Sequence, residues 1–155
     1  MLFRSGPFDQ NGNTKDGTGY WQGFNQAGWS PQGINQATGT VFDLTGLTQN
    51  GAVFFNGYDV NGFDENGFNA DGIHKDSGNG FDQNGNTKDG TGFWQGFNQA
   101  GWSPDGLNQA TGTHFDVNGF AQDGTPFFNG FDVNGFDIDG FNAQGLDAEI
   151  GRAHV

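Results

Sequence analysis

Large apolar residues recur along this chain every five positions, each directly after a glycine. Gly57-Tyr58-Asp59-Val60-Asn61 and Gly62-Phe63-Asp64-Glu65-Asn66 show the pattern: glycine, a large apolar residue, usually Asp or Asn, then two variable positions. Gly57, Gly62, Gly67 and Gly72 mark the spacing, as do Gly130, Gly135, Gly140 and Gly145, and Gly23, Gly28 and Gly33. Five is neither a helical nor a strand period, and glycine at this density destabilises helices. Asn-Gly and Asp-Gly pairs at the junctions are turn signals. The pattern predicts a chain that turns every five residues and sends one aromatic inward each time, with glycine at positive φ. The fold class this implies is an all-β repeat: a narrow β-solenoid of five-residue turns around a ladder of Phe rings. The alternative is a largely disordered chain, since low hydropathy and high net charge favour disorder. The one helical stretch allowed by composition is a short turn at residues 144–149.

A longer period contains the short one. The decapeptide beginning Phe8-Asp9-Gln10-Asn11-Gly12 returns as Phe81-Asp82-Gln83-Asn84-Gly85, 73 residues on, and the offset holds without a gap. This gives repeat unit 1 at residues 8–80 and an incomplete unit 2 at 81–148. Between units Tyr20 pairs with Phe93, Ile34 with Leu107, Leu47 with Phe120, Tyr58 with Phe131 and Ile73 with Leu146, all large and apolar. Glu65 pairs with Ile138, Val41 with His114 and Val53 with Pro126. Positions tolerant of such polarity changes are expected to face solvent, and Phe63, Phe68, Phe136 and Phe141 to form the buried set.

The ends depart from the repeat. Residues 149–155, Glu-Ile-Gly-Arg-Ala-His-Val, and residues 2–5, Leu-Phe-Arg-Ser, back-translate in frame to sequencing-adapter strings. Segments 1–5 and 149–155 are therefore read as adapter-derived tails on an internal fragment of a longer gene, from an environmental or transcript library.

Composition narrows the chemistry. Eighteen acidic residues against five basic ones give a net charge of -13, which disfavours phosphate-backbone contact and hence nucleic acid. No apolar run has the length of a membrane span, so membrane insertion is not expected. The absence of cysteine rules out disulfides and thiolate metal sites. Glycine supplies 30 residues and phenylalanine 18 of 155, so aromatic rings rather than aliphatics must supply the buried area.

No catalytic constellation emerges. His74 and His114 occupy non-equivalent repeat positions, and Gly17-Thr18-Gly19 lacks the strand–helix context of a phosphate loop; the chain reads as no enzyme. Two ligand sites are worth testing. Asp9, Asn11, Asn13 and Asp16, repeated as Asp82, Asn84, Asn86 and Asp89, crowd oxygen donors as a calcium site would. The preferred alternative is a pair of Asx-stabilised turns with no bound ion. Trp21 and Trp29, repeated as Trp94 and Trp102, lie among glutamines and asparagines and could stack on a surface glycan; alternatively they are core residues.

The Gly-aromatic-Asp/Asn pentads resemble repeats of phage fibre and microbial surface proteins. That resemblance implies a structural or adhesive repeat segment of a longer extracellular or virion fibre-type protein, with self-association along the repeat axis. The alternatives are a glycan- or calcium-binding module and a disordered, acidic, aromatic-sticker protein.

Overall fold

The computed structural model describes residues 6–147. Residues 1–5 and 149–155, read as adapter-derived, lie outside them. The chain divides into two compact units, Met1–Gly78 and Asn79–Val155, a boundary two residues before the one read from the repeat.

The five-residue period is a hairpin closed on itself. In Asp59-Val60-Asn61-Gly62-Phe63 the Asp59 amide donates to the Phe63 carbonyl at 2.9 Å, and the Gly62 amide donates to the Asp59 carbonyl at 3.0 Å. This is a three-residue loop whose last residue needs positive φ, and Gly62 stands at +88°. The Asp59 side chain completes the ring: Oδ1 accepts from the amides of Asn61 at 2.9 Å and Phe63 at 3.0 Å. The unit of structure is thus Asx-x-x-Gly-apolar, and it begins at the Asp or Asn. Asp64, Asn69, Asp132, Asp137 and Asn142 head the same ring. A serine hydroxyl does the job at Ser30 and Ser103, and a threonine hydroxyl at Thr48.

A second turn punctuates the first. Trp21 and Phe24 exchange both backbone bonds, as do Phe55 and Tyr58, Trp94 and Phe97, and Phe128 and Phe131. These two-residue loops need positive φ at both central positions. Gln22, Asn56, Gln95 and Asn129 supply it at 51–54°, and they are the non-glycine residues found there.

These bonds overturn the β-solenoid and its Phe ladder. The backbone bonds that define the turns span eight residues or fewer, the longest running from the amides of Gln36, Lys75 and Gln109 back to Gly28, Gly67 and Gly101. A solenoid needs each coil's amides to bond the next coil; here the pentad's own carbonyls take them. Among the described residues there is no helix, and only 13% take part in β pairing, all as isolated bridges. The expected helical turn at 144–149 is a turn and a bridge over 144–147, and its last two residues lie outside the described part. Ring contacts join different types: Phe68 with His74, Phe81 with Trp94, and His114 with Phe128.

The core is correspondingly thin. Trp29, Phe42 and Phe68 are buried in the first unit, Phe81, Trp102 and Ala121 in the second. Of the four pentad phenylalanines expected inside, Phe68 is 3% exposed, Phe63 and Phe136 are half-buried, and Phe141 is 42% exposed. Glu65 faces water and Ile138 is 81% exposed. His74 extends the Asx logic to an imidazole. Its Nδ1 accepts from the Asp76 amide at 3.2 Å, just as Asn35 Oδ1 accepts from Ala37 at 2.9 Å. With Nδ1 accepting, Nε2 carries the proton and donates to the Asn66 carbonyl at 3.0 Å.

A candidate ligand groove repeated in both units

The expected calcium ligands serve the backbone. Asp9 Oδ1 accepts from the amides of Asn11 and Asn13 at 2.8 and 2.9 Å, and Asp82 does the same for Asn84 and Asn86. Asp16 belongs to the following turn. Its Oδ1 accepts from the Thr14 hydroxyl at 2.6 Å, the Thr18 hydroxyl at 2.7 Å and the Thr18 amide at 3.0 Å. These donors, the Thr14 hydroxyl foremost, hold its carboxyl down at about 2; Asp89 is lowered in the same way by Thr87 and Thr91. The asparagines contribute amides rather than side-chain oxygens, so the two carboxylates of each cluster cap two successive turns. Among the described residues no three His, Cys, Asp or Glu side chains converge as metal ligands would.

The four tryptophans separate into two kinds. Trp29 and Trp102 close pentad rings headed by Asn25 and Asn98, and are 7% and 8% exposed. They have no face to offer a sugar. Trp21 is 48% exposed beside its two-residue loop, whereas Trp94 lies half-buried against Gly80 and Phe81.

The concave surface lies elsewhere. Thr48 to Ala52 form one pentad hairpin, with Thr48 donating to the Ala52 carbonyl at 2.8 Å. Phe55 to Tyr58 form a two-residue hairpin. Between them the chain bends through Val53 and Phe54 and leaves a groove of about 350 Å³ lined by Gln49, Asn50, Phe54, Phe55 and Asn56. Phe54 and Phe55 are 40% and 43% exposed. The Gln49 and Asn56 side-chain amides have no hydrogen-bond partner among the described residues, while Asn50 Oδ1 accepts from the Thr48 hydroxyl.

The second unit repeats this groove 73 residues on, at about 380 Å³, with Gln122, Asp123, Phe127, Phe128 and Asn129 in the same places. Four substitutions change its chemistry: Ala121 for Thr48, Asp123 for Asn50, Thr125 for Ala52 and His114 for Val41. Ala121 replaces Thr48 and carries no hydroxyl, so Asp123 caps the turn instead, accepting from the Thr125 amide at 3.0 Å and hydroxyl at 2.7 Å. Those two bonds lower its carboxyl below the usual value and place an anion where the first groove has Asn50. His114, expected at solvent from its pairing with Val41, lies instead on Phe128, with ring centroids 3.7 Å apart and planes within 7°. Its Nδ1 stands 3.1 Å from the Gly106 carbonyl.

The groove had a sequence signal that the pentad pattern hides. Phe54-Phe55 and Phe127-Phe128 are adjacent aromatics, as are Tyr20-Trp21 and Phe93-Trp94, and each pair runs into a two-residue loop instead of keeping the five-residue spacing. Neighbours in an extended segment point to opposite faces, so two adjacent rings cannot both reach one thin core. No protein-family model, curated protein or solved structure matches this chain. Among the described residues no helix is long and apolar enough to cross a membrane.

Proposed function

We propose that this chain is a non-catalytic structural and adhesive repeat segment of a longer fibre-type protein displayed outside a cell or on a virion. The observation that carries the reading is the recurrence of one aromatic and amide-lined groove at the same positions of both repeat units. Turns closed within five residues let units be added without remodelling their neighbours, because each ring supplies its own donors and acceptors. Repeating a weak site along one chain raises avidity without any new contact. The experiment is retention of beads coated with the full chain on a panel of microbial and animal cell surfaces under flow. Retention on at least one surface, above that of an inert protein of equal net charge and rising with tandem copies, is expected. Retention no better than the inert protein on every surface contradicts the reading.

A further inference from the structure

We infer that the groove at residues 48–56, with its copy at 121–129, is a binding site for neutral carbohydrate. The inference rests on the adhesive reading and gives that site a ligand class. Three observations converge. First, the groove exposes two adjacent rings, Phe54 at 40% and Phe55 at 43%. Exposed rings give a sugar an apolar face to stack on, since a pyranose presents C–H groups on one side and hydroxyls at its rim. Second, the Gln49 and Asn56 amides are unpartnered among the described residues. Each offers a carbonyl acceptor and two N–H donors, which matches a hydroxyl that both gives and takes. Third, the lining of the first groove holds no titratable side chain in a chain of net charge -13. A cationic ligand would find the many exposed carboxylates elsewhere on the chain more attractive, and an anionic one would be repelled by the whole. A neutral, hydroxyl-rich ligand is what this lining selects.

The two copies should differ. In the second, His114 lies flat on Phe128, so one of the two ring faces is already covered. Asp123 there turns its carboxylate to Thr125, leaving Gln122 and Asn129 as the open amides. The first groove therefore binds the tighter.

The test is a titration of the isotope-labelled full chain with short neutral oligomers of glucose, mannose, galactose and N-acetylglucosamine, and with oligogalacturonate as the anionic control. The readout is the amide shifts of residues 48–56 and 121–129. At least one neutral oligomer should shift both sets saturably, the first set at lower concentration. Phe55→Ala should weaken binding at the first groove about tenfold or more, equivalent to about 1.4 kcal/mol, and leave the second groove's response unchanged. Gln49→Ala, which removes no ring, should weaken it as well and guards against a misfolded Phe55→Ala. The inference is overturned if no neutral oligomer shifts residues 48–56, if oligogalacturonate shifts them equally, or if both variants bind as the parent does. It is also overturned if shifts depend on protein concentration alone, which would make the groove a self-association surface. Beads that adhere while no neutral sugar binds would end the sugar assignment and leave the adhesive reading standing.

Discussion

Asp59 and Phe63 hold each other twice: the Asp59 amide donates to the Phe63 carbonyl at 2.9 Å, and the Phe63 amide donates to Asp59 Oδ1 at 3.0 Å. The relationship explains why the pentad tolerates almost anything at its second and third positions. With Gly62 those two residues form the loop, and they contribute only backbone to it: the second makes no bond in the ring and the third gives its amide to Asp59 Oδ1.

Replacing the head of a ring should separate hydrogen bonding from charge. Asp64→Ala removes the acceptor of the Asn66 and Phe68 amides and should cost about 1 kcal/mol, the range of a lost helix-cap acceptor. Asp64→Asn keeps Oδ1 and should be close to neutral, since Asn69 heads the next ring with the same two bonds. Denaturant unfolding of the two variants checks this.

Two glycines distinguish conformation from space. Gly62 has φ of +88° with nothing within 4 Å of an added Cβ, so Gly62→Ala should cost only the left-handed penalty of about 1–2 kcal/mol. At Gly67, φ is +91° and an added Cβ would lie 2.6 Å from His74 Nε2. Gly67→Ala should therefore cost more than Gly62→Ala and disturb the Phe68–His74 contact, seen as a shift of the His74 ring protons. Equal losses would show that His74 does not sit over Gly67.

Acid should loosen the turns capped by Asp16, Asp43, Asp89 and Asp123. Asp16 is held at about 2 against an ordinary 3.8, first by the Thr14 hydroxyl. Asp43 is lowered chiefly by the Thr45 hydroxyl, Asp89 by the Thr87 hydroxyl and Asp123 by the Thr125 amide. A folded carboxyl below its unfolded value binds fewer protons than the unfolded chain, so stability rises with pH through this window. The contribution is fully present above about 4 and is lost as pH falls toward 2. Thr14→Val should raise the Asp16 titration midpoint, read from its carboxyl carbon shift, and leave Asp89 in the other unit unchanged.

The turns were legible in the sequence because their chemistry is confined to five residues. Asx or Ser/Thr at the head, glycine at the fourth place and a large apolar residue at the fifth mark the capped loops, as at Asp59–Phe63 and Asn69–Ile73, and the exchanges of Ile34 for Leu107, Leu47 for Phe120 and Ile73 for Leu146 keep the fifth place apolar. The solenoid was a wrong extension of the same pattern. An Asp59 amide could bond Phe63 or a neighbouring coil, and the spacing of glycines is identical in both cases; only the hydrogen bond itself decides. The tryptophans divide by position: Trp29 and Trp102 close pentad rings and are buried, while Trp21 and Trp94 precede two-residue loops, the first exposed and the second half-buried against Gly80 and Phe81. Reading all four alike, whether as sugar platforms or as core, missed this division, and reading polarity tolerance at 41 and 114 as exposure missed the His114–Phe128 stack. The groove escaped because it depends on the bend at Val53 and Phe54, and the aromatic doublet there is shared with Tyr20-Trp21 and Phe93-Trp94.

The self-closed pentad can be tested by scalar couplings across hydrogen bonds in the isotope-labelled chain. Cross-peaks should connect the amides of Asp59, Asp64, Asp132 and Asp137 to the carbonyls of Phe63, Phe68, Phe136 and Phe141, each four residues on. Couplings from those amides to carbonyls of more distant turns, or none at all with random-coil shifts throughout, would contradict the account.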